Sequence, residues 1–211
     1  MLTRVALCVI NIFSILNNPM HIADGIIATE IAVAADVVTV CALYAFGKKI
    51  PTDEVPKMGL LAAAMFVSSL VHFPVAGTSM HLGLFGLAGI LLGLRSFPVV
   101  FVALLFQSMI FQHGGLLSLG LNVINMGAGA LVAYLLWRIV VLPEPLRAFL
   151  AGFMGTLTAA FLMACEFSLS GYGRGIFYIL SLYVVVAVIE GVLTAVIITF
   201  FRRVRAPLLK G

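Results

Sequence analysis

Four histidines carry most of the metal-binding chemistry open to this sequence: His21, His72, His81 and His113. Each sits in a short polar cluster between long apolar runs. The first cluster is Met20-His21-Ile22-Ala23-Asp24-Gly25, and the second runs from His72 through Pro74, Gly77, Thr78 and Ser79 to His81. The third is Gln112-His113-Gly114-Gly115, followed by Asn122 and Asn125. Imidazole suits the later divalent transition metals. The Met20-His21 dipeptide offers more than one imidazole. If Met20 is the working first residue, its amine, the His21 amide nitrogen and the His21 imidazole form two fused chelate rings. One further imidazole closes a square of four nitrogens, a geometry that suits Ni(II) or Cu(II). If residues 1–19 stay attached, the Met20 nitrogen is an amide, and His72 or His113 must supply another donor. Asp24 reads as a helix cap or as a carboxylate orienting His21, because metal-bound histidines commonly lean on such partners. Asn122 and Asn125 share one helical face and read as donors to loop backbone.

The elements that must position these groups are membrane helices. Of 211 residues, 63% are apolar and 9% charged, where a soluble domain carries about 25% charged residues. The mean hydropathy is +1.22. Such a chain cannot cover a globule with a wetted surface. That excludes an ordinary soluble enzyme, a disordered chain and a nucleic-acid binder with a basic face, and it makes membrane lipid the first partner. Apolar runs fall at about 26–46, 58–73, 82–94, 97–112, 116–139, 147–167 and 176–201. They lack β alternation, and helices satisfy their own backbone in lipid. The expectation is an all-α polytopic bundle of about seven transmembrane segments. Three of these (58–73, 82–94 and 97–112) are short against the roughly 20 residues a span requires. Lys48, Lys49, Lys57, Arg95, Arg138, Arg147, Arg202, Arg203, Arg205 and Lys210 fall on one side of that plan, and Arg174 on the other. By the positive-inside rule the C-terminus is cytoplasmic and the first run starts outside. All four histidines then lie on the outer side. Residues 1–19 read as a leader or as mis-assigned upstream sequence, and 20–211 as a single membrane domain. Cys8, Cys41 and Cys165 lie far apart in apolar runs and form neither a metal motif nor a disulfide framework.

With M-H-I-x-D-G, G-T-S-x-H and H-G-G…N-x-x-N-M-G read together, the chain resembles the CbiM/NikM family. Members are substrate-capture components of energy-coupling-factor (ECF) transporters for cobalt and nickel. The resemblance runs from Met20 to the Glu190-Gly191-x-x-Thr194 pattern, where Tyr183 stands in place of a histidine common in the family. It implies His81 as the fourth ligand beside Met20 and His21, with Ni2+ or Co2+ as transported substrate. It also implies a transmembrane coupling subunit, two cytoplasmic ATPase subunits, a small accessory membrane subunit and residence in the cell (inner) membrane.

The sequence has no G-x-x-x-x-G-K-[ST] loop, so ATP must be hydrolysed by partners. A rival reading is an intramembrane metal-dependent hydrolase, which would want a general base and a motif such as H-E-x-x-H; the sequence lacks that motif. A passive metal channel is the other rival. Three acids, Asp36, Glu166 and Glu190, lie inside apolar runs. An ionisable group there is costly and calls for a named partner.

Overall fold

The computed structural model describes residues 21–75, 78–172 and 175–204. Met20, the expected leader at 1–19, Arg174, Arg205 and Lys210 lie outside the described residues. Among the described residues seven α-helices fall on the apolar runs: α1 (Thr29–Gly47), α2 (Val55–Ser68), α3 (Phe85–Leu92), α4 (Ser96–Phe111), α5 (Leu119–Trp137), α6 (Glu144–Leu169) and α7 (Ile176–Val204). A 3-10 turn, Gly93–Arg95, joins α3 to α4. Proline opens α2 and α6 in the first helical turn, where its missing N–H costs no intrahelical bond.

The chain is not helical throughout. The run at 58–73 stops being helix at Ser68, and β1 (His72–Val75) pairs antiparallel with β2 (Thr78–His81). Pro74 cannot continue a helix, and a hairpin lets this connection satisfy much of its own backbone. Its register sets His72 directly opposite His81.

Among the described residues five stretches are long and apolar enough to cross a membrane: Thr29–Gly47, Phe85–Phe111, Leu119–Trp137, Glu144–Leu169 and Ile176–Val204. This is fewer than the seven expected, because α2, α3 and α4 are each too short to qualify alone. The Phe85–Phe111 stretch is not one rod. A straight helix of that length would extend about 40 Å. Yet Leu82, Gly83 and Phe85 line the same small cavity as Val100, Ala103, Leu104 and Gln107. The chain therefore doubles back at Gly93, whose φ of +57° and ψ of −128° turn it out of α3. Leu84 precedes α3 in the left-handed region, at φ +54°. Thus α3 is about 12 Å long and α4 about 24 Å, both short of a hydrocarbon core of about 30 Å.

Helix α5 is the centre of the bundle, touching α1, α3, α4 and α6, while α6 and α7 form the longest paired contact. Close approach depends on small residues. A Cβ on Gly89 of α3 would lie 2.2 Å from the Ala130 carbonyl oxygen of α5, and one on Gly129 would lie 2.4 Å from the Gly155 oxygen of α6. The glycine row of α3 is thus internal packing, the usual device where helices associate in lipid. Ala32 of α1 is buried in the same way. Outward faces are apolar: Val37, Val40, Leu135, Val192 and Val196 are all exposed. Apolar inside and out, this is a multi-pass membrane protein.

The ends of the bundle differ in chemistry. Arg95 pairs with Glu54, and Arg202 with Glu144. Arg147 donates to the Trp137 carbonyl and lies over the Trp137 ring. These contacts gather at the end opposite the histidines. Gly89→Ala should force α3 off α5, because the obstructing atom is backbone. The cost expected is about 1–3 kcal/mol, read as a lowered melting temperature in detergent. Gly59→Ala, where a Cβ meets nothing within 4 Å, should melt no lower than the parent.

Candidate metal centre

His21 lies just ahead of α1, His81 at the end of β2 and His113 just after α4. Their rings converge. Centroids of His21 and His81 are 5.1 Å apart, of His21 and His113 5.2 Å, and of His81 and His113 5.5 Å. Each offers a ring nitrogen, and these nitrogens lie within 4.8 Å of one another. His21 and His81 are 1% and 2% exposed while His113 is half-buried, so the centre is buried on the His21–His81 side and opens toward His113. His72 is exposed and forms the rim, its ring 5.6 Å from His81 and 5.1 Å from His113.

The tautomers follow from the hydrogen bonds. A carbonyl only accepts, so His81 Nδ1 donates to the Leu82 oxygen at 3.1 Å. In the neutral ring, Nε2 then carries the lone pair. His21 Nε2 lies 3.0 Å from His81 Nε2 and must be the donor of that bond. The His21 lone pair is therefore on Nδ1, which is buried with no hydrogen-bond partner among the described residues. Nδ1 is also the nitrogen that closes a six-membered chelate with the residue's own amide. A buried lone pair without a partner costs about 1–3 kcal/mol unless it meets an acceptor of electrons. This donor set fits a transition-metal dication.

Electrostatics keep the lone pairs available. Burial, then the neighbouring His81, His113 and His72, hold His21 well below the ordinary imidazole range. Burial lowers His81 to about 4, against a smaller upward pull from Leu82. Burial and His72 lower His113 as well.

The segment carrying His21 is clamped by the chain between α4 and α5. Asn122 accepts the Ile22 N–H at 2.8 Å and donates to the Ile22 oxygen at 2.9 Å, pairing with it as a strand partner would. Gly115 N–H donates to the same oxygen. Asp24 accepts the Ser118 N–H at 2.8 Å, so it caps α5, not the helix that follows it in sequence. A Cβ on Gly115 would lie 1.7 Å from Asp24 Oδ1, and one on Gly114 3.1 Å from both His21 Cβ and Asn122 Nδ2. His113-Gly114-Gly115 therefore needs its glycines to lie against the His21 segment. Asn125 is turned away from this clamp and donates to Glu166 at 2.6 Å. Ser79 is placed by its backbone, opposite Pro74 in the hairpin.

Two positioning groups were visible in the sequence only as acids without partners. Asp36 of α1 accepts the Gly120 N–H of α5 at 2.8 Å. Glu190 of α7, fully buried, accepts the Gly83 and Leu84 N–H groups at 2.5 and 2.9 Å, just past His81.

The chain is similar to proteins named for metal transport. A family described as the cobalt uptake substrate-specific transmembrane region, CbiM, matches residues 21–208. The cobalt transport protein CbiM of Sorangium cellulosum is 33% identical over 218 aligned positions, covering 90% of this chain and 94% of that one. The fused nickel transport protein NikMN of Rhodobacter capsulatus is 32% identical, over 70% of this chain and 47% of its own. Against two further relatives the chain spans 61% and 49% of their length. The crystal structure of a transition metal transporter shares the fold, with a TM-score of 0.74 at 24% identity over 88% of this chain and 93% of that one.

With three lowered imidazoles, folding should depend on pH. Above about pH 6.5, folded and unfolded chains both hold neutral histidines. As pH falls, the unfolded chain takes up protons first, so stability is lost between pH 6.5 and about 4. For His81 alone the loss is on the order of 3 kcal/mol. Melting curves of metal-free protein should show that decline, and it should be shallower in His81→Ala. A flat profile through this window would contradict the buried neutral centre. From the match over nearly its whole length, and from a near full-length relative sharing a third of its residues, the chain belongs to the CbiM family.

Proposed function

We propose that the chain is the substrate-specific membrane component of an ECF-type importer, capturing Ni2+ or Co2+ at its outer face. The observation that carries this reading is the convergence of three imidazoles around the buried, orphaned His21 Nδ1. The Met20 amine, the His21 amide and imidazole, and the His81 imidazole are the proposed ligands. His72, His113, Asp24, Ser79, Asn122 and Asn125 surround or hold them. A square of nitrogens favours nickel, which also binds such sites more tightly than cobalt. Energy comes from two cytoplasmic ATPase subunits through a transmembrane coupling subunit, with a small accessory membrane subunit assisting.

Seven helical segments, three of them partial, then cross or enter the cell (inner) membrane. The N-terminal side lies outside and the C-terminus in the cytoplasm. Support comes from the antiparallel α3–α4 pair and from the gathering of Arg95, Arg147 and Arg202 at the end away from the histidines.

Calorimetric titration of the purified chain with Ni2+ and Co2+ tests the site. His21→Ala, or one residue inserted between Met20 and His21, should abolish binding. His81→Ala should weaken it at least roughly 100-fold, about 2.7 kcal/mol, and His72→Ala only slightly. Binding should release protons, because the amide must deprotonate. An intact mass that retains residues 1–19 on metal-loaded protein would exclude the amine as a ligand. Topology is read independently: Asp53→Cys should resist membrane-impermeant thiol reagents added to intact cells, and free labelling from outside would invert the plan.

A further inference from the structure

Glu190 is on α7, 107 and 106 residues along the chain from the two amides it accepts. A buried acid in a membrane segment requires a reason. Serving as a cap for the short helix α3 is one, but the contacts lead further. The Gly83 N–H that reaches Glu190 Oε1 at 2.5 Å belongs to the same peptide group as the Leu82 carbonyl. That carbonyl accepts the Nδ1–H of His81 at 3.1 Å. The peptide plane is thus bonded on its N–H side to a carboxylate and on its C=O side to the imidazole that faces His21.

We propose that Glu190 is a positioning residue for the metal site, acting on His81 through the Leu82–Gly83 peptide group. This rests on the reading of His81 as a ligand and deepens it. Metal-bound histidines usually donate their other N–H to a carboxylate or a carbonyl, which fixes the tautomer and raises the basicity of the ligating nitrogen. Here the two partners are in series. A carboxylate on the peptide N–H pushes electron density toward the carbonyl oxygen, making it a stronger acceptor for Nδ1–H, because linked hydrogen bonds polarise one another. The His81 Nε2 lone pair is then both better directed and more basic. The backbone at this point needs such a hold. Leu84 has φ +54°, a conformation uncommon for a side chain of its size, and its N–H is the second bond to Glu190. The same carboxylate therefore fixes the turn and tunes the ring, and it ties the ligand to α7 with no direct contact between Glu190 and the centre.

The test uses the full chain in detergent, with Glu190→Gln and Glu190→Ala. Glutamine keeps an acceptor oxygen for both amides but replaces the carboxyl group with an amide that cannot ionise. Nitrogen-15 spectra of the metal-free protein should show His81 protonated at Nδ1 in the parent. In Glu190→Gln those resonances should move while the protein still melts cooperatively. Ni2+ affinity should fall about 10-fold in Glu190→Gln and up to roughly 100-fold in Glu190→Ala, with a changed Ni2+ absorption spectrum. Parent-like affinity and unmoved His81 resonances in Glu190→Gln would reduce Glu190 to a helix cap and overturn the proposal. Should both variants fail to fold, the parent decides alone. Its Gly83 amide proton should resonate far downfield, with His81 in the Nδ1–H form; an ordinary Gly83 shift or the Nε2–H form overturns the relay. If the parent binds no metal, the capture function fails, whereas the metal-free spectra still judge the relay.

Discussion

Backbone N–H groups at membrane depth must find acceptors, since water is not there to supply them. A bundle of unbroken helices meets this need only within each helix. This chain breaks its helices to build a site, and every break leaves amides without carbonyl partners in the first turn of the next helix. Three acids, of which only Glu190 is fully buried, answer that need. Asp24 and Asp36 take the Ser118 and Gly120 amides at the start of α5, and Glu190 takes those of Gly83 and Leu84 before α3. Negative charge at a helix N-terminus is also favoured by the helix dipole. These acids supply acceptors where the helices that frame the site begin.

The same bonds carry the histidines. His81 is two residues before the first amide bound by Glu190. His21 is followed by Ile22, whose backbone is bracketed by Asn122 and Gly115. His113 precedes the glycines that lie against Asp24. His21 and His81 are each held within two residues of a buried, satisfied polar contact, and Ile22 itself is fully buried. Burial keeps His21 and His81 neutral, and neutrality leaves a lone pair for a cation.

Packing decides how near the parts can come. Gly89 against Ala130, and Gly129 against Gly155, let helices approach at backbone distance. In lipid, where apolar side chains gain little by leaving one apolar surroundings for another, such contact is the main source of association. The outward faces stay apolar and loosely specified. The interior is where each residue type is constrained.

The sequence by itself determined the class of protein and where its apolar runs fall, and it singled out the histidines as candidate ligands. These are properties of composition and local order, and a hydrophobic run needs no distant partner to be a helix. It also marked Asp36, Glu166 and Glu190 as acids in need of partners. Tertiary structure alone decided who those partners are. The bonds of Asp36, Asp24, Asn122 and Glu190 join residues 84 to 107 positions apart. It also turned the second run into a hairpin past Ser68, folded α3 back on α4 at Gly93, and chose which nitrogen of His21 and His81 keeps its proton. A ring's tautomer depends on what stands opposite it, and what stands opposite is fixed only when all the helices have packed.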